Sequence, residues 1–174
     1  MRTESATFFS DGLKLSGALF LPDGDLDGPR PLVLPCSGFT GLMRIHPERF
    51  ARYLAGRGHL CFGFDYRGFA DSEGPAGRVI LEEQVRDIRA AAAFAAADDR
   101  VDVTRIILLG WGMAGGLVID AARELPGVCG LIAANGFYNG RRVQAHHRGE
   151  DGLARFERQL EDEQRERART GEAK

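Results

Sequence analysis

Gly110-Trp111-Gly112-Met113-Ala114-Gly115-Gly116 stands between an apolar run, Ile106–Leu109, and a segment of helical character, Met113–Leu125. A strand that turns straight into a helix through so many glycines admits two readings. Gly110, Gly112 and Gly115 spell G-x-G-x-x-G, the pattern that lets backbone approach a dinucleotide pyrophosphate. The stretch also reads as G-x-S-x-G-G with glycine in place of serine and Ala114 in place of the next glycine, a nucleophile elbow. The dinucleotide pattern belongs to the first strand–helix–strand unit and calls for an acidic residue roughly 20 positions later. Here at least four strands come first, and the next strand, Cys129–Ala134, ends on Asn135. Context favours the elbow.

Working outward, Ala6–Ser10 and Leu13–Leu21 flank Asp11-Gly12, a hairpin signal. Pro31–Cys36 is a short apolar run suited to a buried strand. Pro47–Arg57 has Phe50, Tyr53 and Leu54 on one helical side and is stopped by Gly56 and Gly58. Leu60–Phe64 is a strand ending at Asp65, and Val79–Ala97 an Ala-rich helix with Ile80, Val85, Ile88 and Phe94 as its larger contacts. This alternation over residues 1–140 predicts an α/β fold, a mostly parallel sheet with helices on both faces. Ligands of such sheets bind beyond the carboxyl ends of the strands. That rule selects Ser37–Met43, Asp65–Gly74, Gly110–Gly115 and Asn135–Gly140.

Three motifs in this order resemble the α/β-hydrolase family, over about residues 5–140. Ser37-Gly38-Phe39-Thr40 after Pro31–Cys36 looks like the family's oxyanion loop. Phe64-Asp65-Tyr66-Arg67-Gly68-Phe69-Ala70-Asp71-Ser72-Glu73-Gly74 is similar to its D-x-R-G-x-G-x-S turn, and the elbow follows after one long helix. Ser37–Met43 and His46-Pro47-Glu48-Arg49-Phe50 look most like dienelactone-hydrolase-like and polyketide-tailoring members. The resemblance implies an α/β-hydrolase-type sheet, seen here as its N-terminal portion (1–140) plus the start of a cap or linker (141–174). It implies that Gly112 occupies the nucleophile position and that the Met113 N–H, with one from Gly38 or Phe39, forms an oxyanion hole. Ser37, Thr40, His46, Trp111, Phe137 and Tyr138 are the expected substrate-binding residues, for an ester, lactone or related carbonyl of a small organic molecule.

Gly112 departs from the family, because without a side chain it forms no acyl-enzyme. Nothing after Asn135 reads as the two further strands on which the family carries its acid and histidine, and His146 and His147 fall in a charged segment. A C-terminal continuation or a second chain is expected to complete the fold; an engineered and a natural glycine both remain open. A base with an oxyanion hole suffices to expel a carboxylate. The runner-up is therefore a lyase acting by elimination in natural-product biosynthesis, followed by a non-catalytic ligand-binding relative and, last, a nicotinamide-dependent oxidoreductase.

Composition bounds these readings. The 174 residues carry 23 basic and 25 acidic side chains, net charge -2, which gives no support for nucleic-acid binding. The hydrophobic fraction of 44% is enough for a core, and no apolar run approaches the roughly 20 residues that span a bilayer. Cys36, Cys61 and Cys129 are odd in number and flanked by apolar residues, so they read as reduced core thiols of a cytoplasmic protein. No metal or cofactor is expected. Nine basic and eight acidic residues crowd Arg141–Lys174, where Leu153, Phe156 and Leu160 put a thin apolar stripe on a helix from Asp151 to about Arg169. Plainer roles are also expected: a turn hydroxyl for Ser37, a helix start for His46, surface exposure for the His146/His147 pair. Asp65 and Arg67 are expected to brace their turn, with each other as candidate partners.

Overall fold

Asp11 and Gly12 both take positive φ, 48° and 80°, the local twist that a two-residue hairpin turn requires. They join β1 (Arg2–Ser10) to β2 (Leu13–Leu21) in antiparallel register, with Phe8 opposite Leu15. The computed structural model describes residues 1–136 and 138–171. They fall into two compact units, Met1–Gly136 and the segment that follows it.

In the first unit the chain continues through β3 (Arg30–Cys36), α1 (Pro47–Ala55), β4 (Leu60–Phe64), α2 (Leu81–Ala96), β5 (Val101–Trp111), α3 (Ala114–Ala122) and β6 (Val128–Ala134). The strands form one six-stranded sheet in the order β1-β2-β4-β3-β5-β6. β2 alone runs antiparallel to its neighbours; β1 points the same way as β3, β4, β5 and β6, which pair in parallel. Strands that are apolar on both faces need cover on both, and the central strands β3 and β4 receive it. Leu32, Leu34, Phe62, Phe64 and Leu108 pack with Ile88, Ala91, Leu117 and Val118 of α2 and α3. Val33, Cys61, Phe20 and Leu109 pack with Ala51 and Ala55 of α1 on the other side. Each fully buried Leu or Phe contributes about 1.5–3 kcal/mol. The sheet and its helices are therefore the rigid support for the loops at its carboxyl edge.

Several element bounds differ from expectation. β5 starts at Val101, five residues before Ile106, because side chains hold its polar end extended. Asp102 accepts the Thr104 N–H at 2.9 Å and the Arg105 guanidinium at 2.5 Å. α3 ends at Ala122 rather than Leu125, closing in a tighter turn of three-residue bonds, where the Leu125 N–H reaches Ala122 O at 3.3 Å. Cys129, expected in the core, is exposed. It lies on β6, the sheet edge, where Leu131 and Ile132 are also 44% and 48% exposed.

The second unit is helical. α4 (Gly140–Thr170) starts where the Asn139 side chain accepts the Arg142 N–H at 2.9 Å and is broken at Gly149, whose φ is 68°. In a straight helix, residues 16 apart would lie about 24 Å from each other; here Arg141 pairs with Glu157 at 2.7 Å, so the chain doubles back at the break. Arg148 covers the Phe156 ring at 4.3 Å. The helical segment thus begins some ten residues before the expected Asp151. No helix among the described residues is long and apolar enough to cross a membrane.

Candidate functional site

The turn from β5 into α3 combines two demands on its glycines. At Gly110 a Cβ would sit 2.2 Å from the Ala114 carbonyl oxygen, and at Gly115 it would sit 2.7 Å from Gly136 Cα. Both positions must be bare because backbone passes over them. Gly112 differs: its φ is 59°, left-handed at the head of a helix, and among the described residues nothing lies within 4 Å of a Cβ there. The Gly112 N–H donates to Ala134 O at 3.0 Å, while its carbonyl accepts the Gly115 N–H at 2.9 Å. The backbone on either side is therefore fixed.

The loop after β3 lies against this turn. Cys36 pairs with Gly110 in the parallel register, and a Cβ at Gly38 would fall 2.8 Å from the Trp111 carbonyl oxygen and 3.6 Å from the Met113 nitrogen. Loop and turn meet where the strand order reverses: β4 lies on one side of β3 and β5 on the other. Crevices at such points are where open α/β sheets bind ligands. Within the loop, Ser37 and Gly38 are buried whereas Phe39 and Thr40 are exposed. The Ser37 hydroxyl is buried and has no hydrogen-bond partner among the described residues. Met113 is buried behind the turn. Of the other expected site residues, Tyr138 is an exposed residue of the second unit and Phe137 lies outside the described residues.

A second set of contacts pins the loop to the turn after β4. The Asp65 carboxylate accepts the Met43 N–H at 2.6 Å, and the Tyr66 N–H donates to Gly41 O at 3.1 Å. Burial raises the Asp65 pKa, helped by nearby Asp71 and Glu48 and opposed by the Met43 N–H. Asp65 and Arg67 do not pair with each other, contrary to one expectation. Arg67 instead meets Asp87 of α2, donating to its carboxylate at 2.6 Å and 3.0 Å, and reaches Ser10 at 3.0 Å and Asp11 at 2.9 Å. Asp65 takes its partner from the loop in front of it. The Ser72 hydroxyl, donating to Asp65 O at 2.8 Å, closes the turn.

His46 stands at the start of α1, where its carbonyl accepts the Phe50 N–H at 3.0 Å, but its side chain is engaged elsewhere. The side chain makes no capping bond, and its ring stacks on Trp111 with centroids 4.8 Å apart and planes at 18°. Phe50 approaches the same indole at 5.8 Å. No local sequence signal marks this contact, because its partners are 65 positions apart. Cys36, the thiol beside Gly110, is no substitute nucleophile: burial pushes its pKa far above the ordinary thiol range, and Cys61 is pushed up to about 12. Only a thiolate attacks carbonyls efficiently. No group of three His, Cys, Asp or Glu side chains among the described residues is placed to hold a metal ion.

A left-handed residue at the strand–helix junction of the fifth strand, faced by the loop after β3, is the geometry of a nucleophile elbow and not of a dinucleotide turn. Comparison with known proteins agrees. The pattern of the serine aminopeptidase S33 family matches residues 27–160. The chain belongs to this α/β-hydrolase family. It is 30% identical over 134 residues to the quorum-quenching protein AidA of Acinetobacter baumannii, covering 76% of this chain and 43% of that protein. Among solved structures, hypothetical protein PA2218 of Pseudomonas aeruginosa superposes with a TM-score of 0.82 at 20% identity, over 98% of this chain and 55% of that one. The α/β-hydrolase GrgF of Penicillium gives 0.73 at 22% identity, over 94% and 56%. At such identities these two structures show the shared fold alone. The chain spans about half the length of the curated relatives it matches.

Proposed function

We propose that this protein acts on the carbonyl of an ester, lactone or related small organic molecule without a covalent intermediate at position 112. One observation carries the reading: Gly112 holds the backbone of a nucleophile, φ 59° with open space where a side chain would point, yet has no hydroxyl. The carbonyl oxygen is received by the Met113 N–H at the head of α3 and by an N–H of Gly38 or Phe39. There the helix dipole favours developing negative charge. Oxyanion donors and binding alone retain roughly 10³–10⁴-fold acceleration over water. The space at Gly112 suits a water as the attacking group. Phe39 and Thr40, exposed on the loop, meet the rest of the substrate, with Trp111 and His46 behind it. The AidA relative, named for quorum quenching, supports a small-molecule substrate.

In the whole protein we place further strands beyond β6, on a continuation or a second chain, together with any acid and histidine. A parallel strand that is apolar on both faces, as Leu131 and Ile132 make β6, is built like an interior strand. Turnover of p-nitrophenyl butyrate and of an alkyl γ-lactone in ¹⁸O-water tests the function. The reading expects ¹⁸O in the released acid. Acid released without ¹⁸O identifies a lyase, which the bare elbow would also serve. Binding without turnover identifies a receptor, and neither binding nor turnover overturns the proposal.

A further inference from the structure

We propose that His46 is a positioning residue for the elbow, its ring stacked on Trp111 so as to hold the loop from Ser37 to His46 against Gly112 and Met113. The inference rests on reading that loop and turn as a carbonyl site. Trp111 is the last residue of β5 and the neighbour of Gly112. Its backbone carbonyl is the atom on which Gly38 closes, at the start of the loop. Its side chain is the surface on which His46 stacks, at the end of the loop. One residue thus grips both ends of the segment that carries the second oxyanion donor. Between those ends the loop has two further ties, Met43 to Asp65 and Gly41 to Tyr66. Phe50 steadies the indole from α1. A polar residue at a helix start ordinarily spends its side chain on the helix N–H groups; His46 does not.

Trp111 is the chain's one tryptophan, so its fluorescence reports the stack without any substrate. In His46→Ala the emission should be red-shifted, and in His46→Phe it should keep the wild-type maximum. Hydrogen exchange at the Gly41 and Met43 amides should be about two- to tenfold faster in His46→Ala, the range an aromatic pair supplies, and should return to the wild-type rate in His46→Phe. With p-nitrophenyl butyrate, His46→Ala should lower kcat more than it raises KM, because an oxyanion donor acts in the transition state. Should no probe be bound or turned over, the functional reading fails while fluorescence and exchange still decide the role of His46. Unchanged emission and loop exchange in His46→Ala, or loop exchange in His46→Phe as fast as in His46→Ala, would overturn the proposal; His46→Gln, expected to loosen the loop as well, serves if the alanine variant fails to fold.

Discussion

Gly38→Ala probes, with a single methyl group, the contact between the loop after β3 and the turn after β5, the two segments proposed above to form the oxyanion hole. That methyl would lie 2.8 Å from the Trp111 carbonyl oxygen, 0.6 Å inside the 3.4 Å at which ordinary contact begins. The oxygen cannot retreat, since Trp111 is in register with Ala134 of β6 and the next N–H, that of Gly112, bonds to Ala134 O. Relief comes from the loop, which moves outward. Overpacking of this kind destabilises by about 1–3 kcal/mol. A shift of about half an ångström in an oxyanion donor lowers turnover by about tenfold or more, given that a misplacement of about 1 Å can take 10²-fold. Urea unfolding gives the first quantity, and kcat/KM for p-nitrophenyl butyrate the second. Gly140→Ala, where a Cβ meets nothing within 4 Å, is the control and should stay within about 0.5 kcal/mol of wild type. A Gly38→Ala variant as stable and as active as that control would refute the packing of loop on elbow.

Other variants test the support beneath the site. Asp87→Ala leaves Arg67, only 7% exposed, without its main partner and should lower stability by about 3–5 kcal/mol; urea unfolding of Asp87→Ala combined with Arg67→Met should recover much of the loss. Hydrogen bonds from Arg100 hold the carboxyls of Glu4 and Asp98 below their ordinary range. Groups depressed in the folded state stabilise it above their unfolded values, so this contribution is lost as pH falls below about 4, and Arg100→Met should flatten the acid limb of a thermal-melting profile. Gln84 is buried with neither amide atom bonded, so Gln84→Met should leave stability unchanged or raise it; a loss above about 1 kcal/mol would show that the amide is in use.

The parts of this fold governed by local chemistry were legible in the residues. Asp11-Gly12 announced the hairpin, runs such as Leu60–Phe64 announced strands apolar on both faces, and the crowded glycines around Gly112 announced a tight turn from strand into helix. Contacts made across the chain were not. Asp87 carries no mark in the helix pattern of α2 that it answers Arg67, 20 positions earlier, and Asp65 was assigned a neighbour in sequence when its partner is the Met43 N–H. Cys129 looked like a core residue because its flanks are apolar, yet burial depends on what covers β6. His46 and Trp111 each read as a loop residue of the crevice. Their mutual stack depends on α1 returning over the end of β5.

The central claim, that this turn presents position 112 to a substrate, can be measured without knowing the substrate or the rest of the active site. Gly112→Cys in a Cys129→Ala background places one thiol on the elbow, while Cys36 and Cys61 stay buried. At the head of α3 that thiol should ionise below the ordinary value of about 8.5, so alkylation by iodoacetamide, followed by mass spectrometry across pH, should be fast at neutrality and confined to residue 112. A thiol at 112 as unreactive as Cys36, or one that ionises no more readily than a free cysteine, would contradict the account.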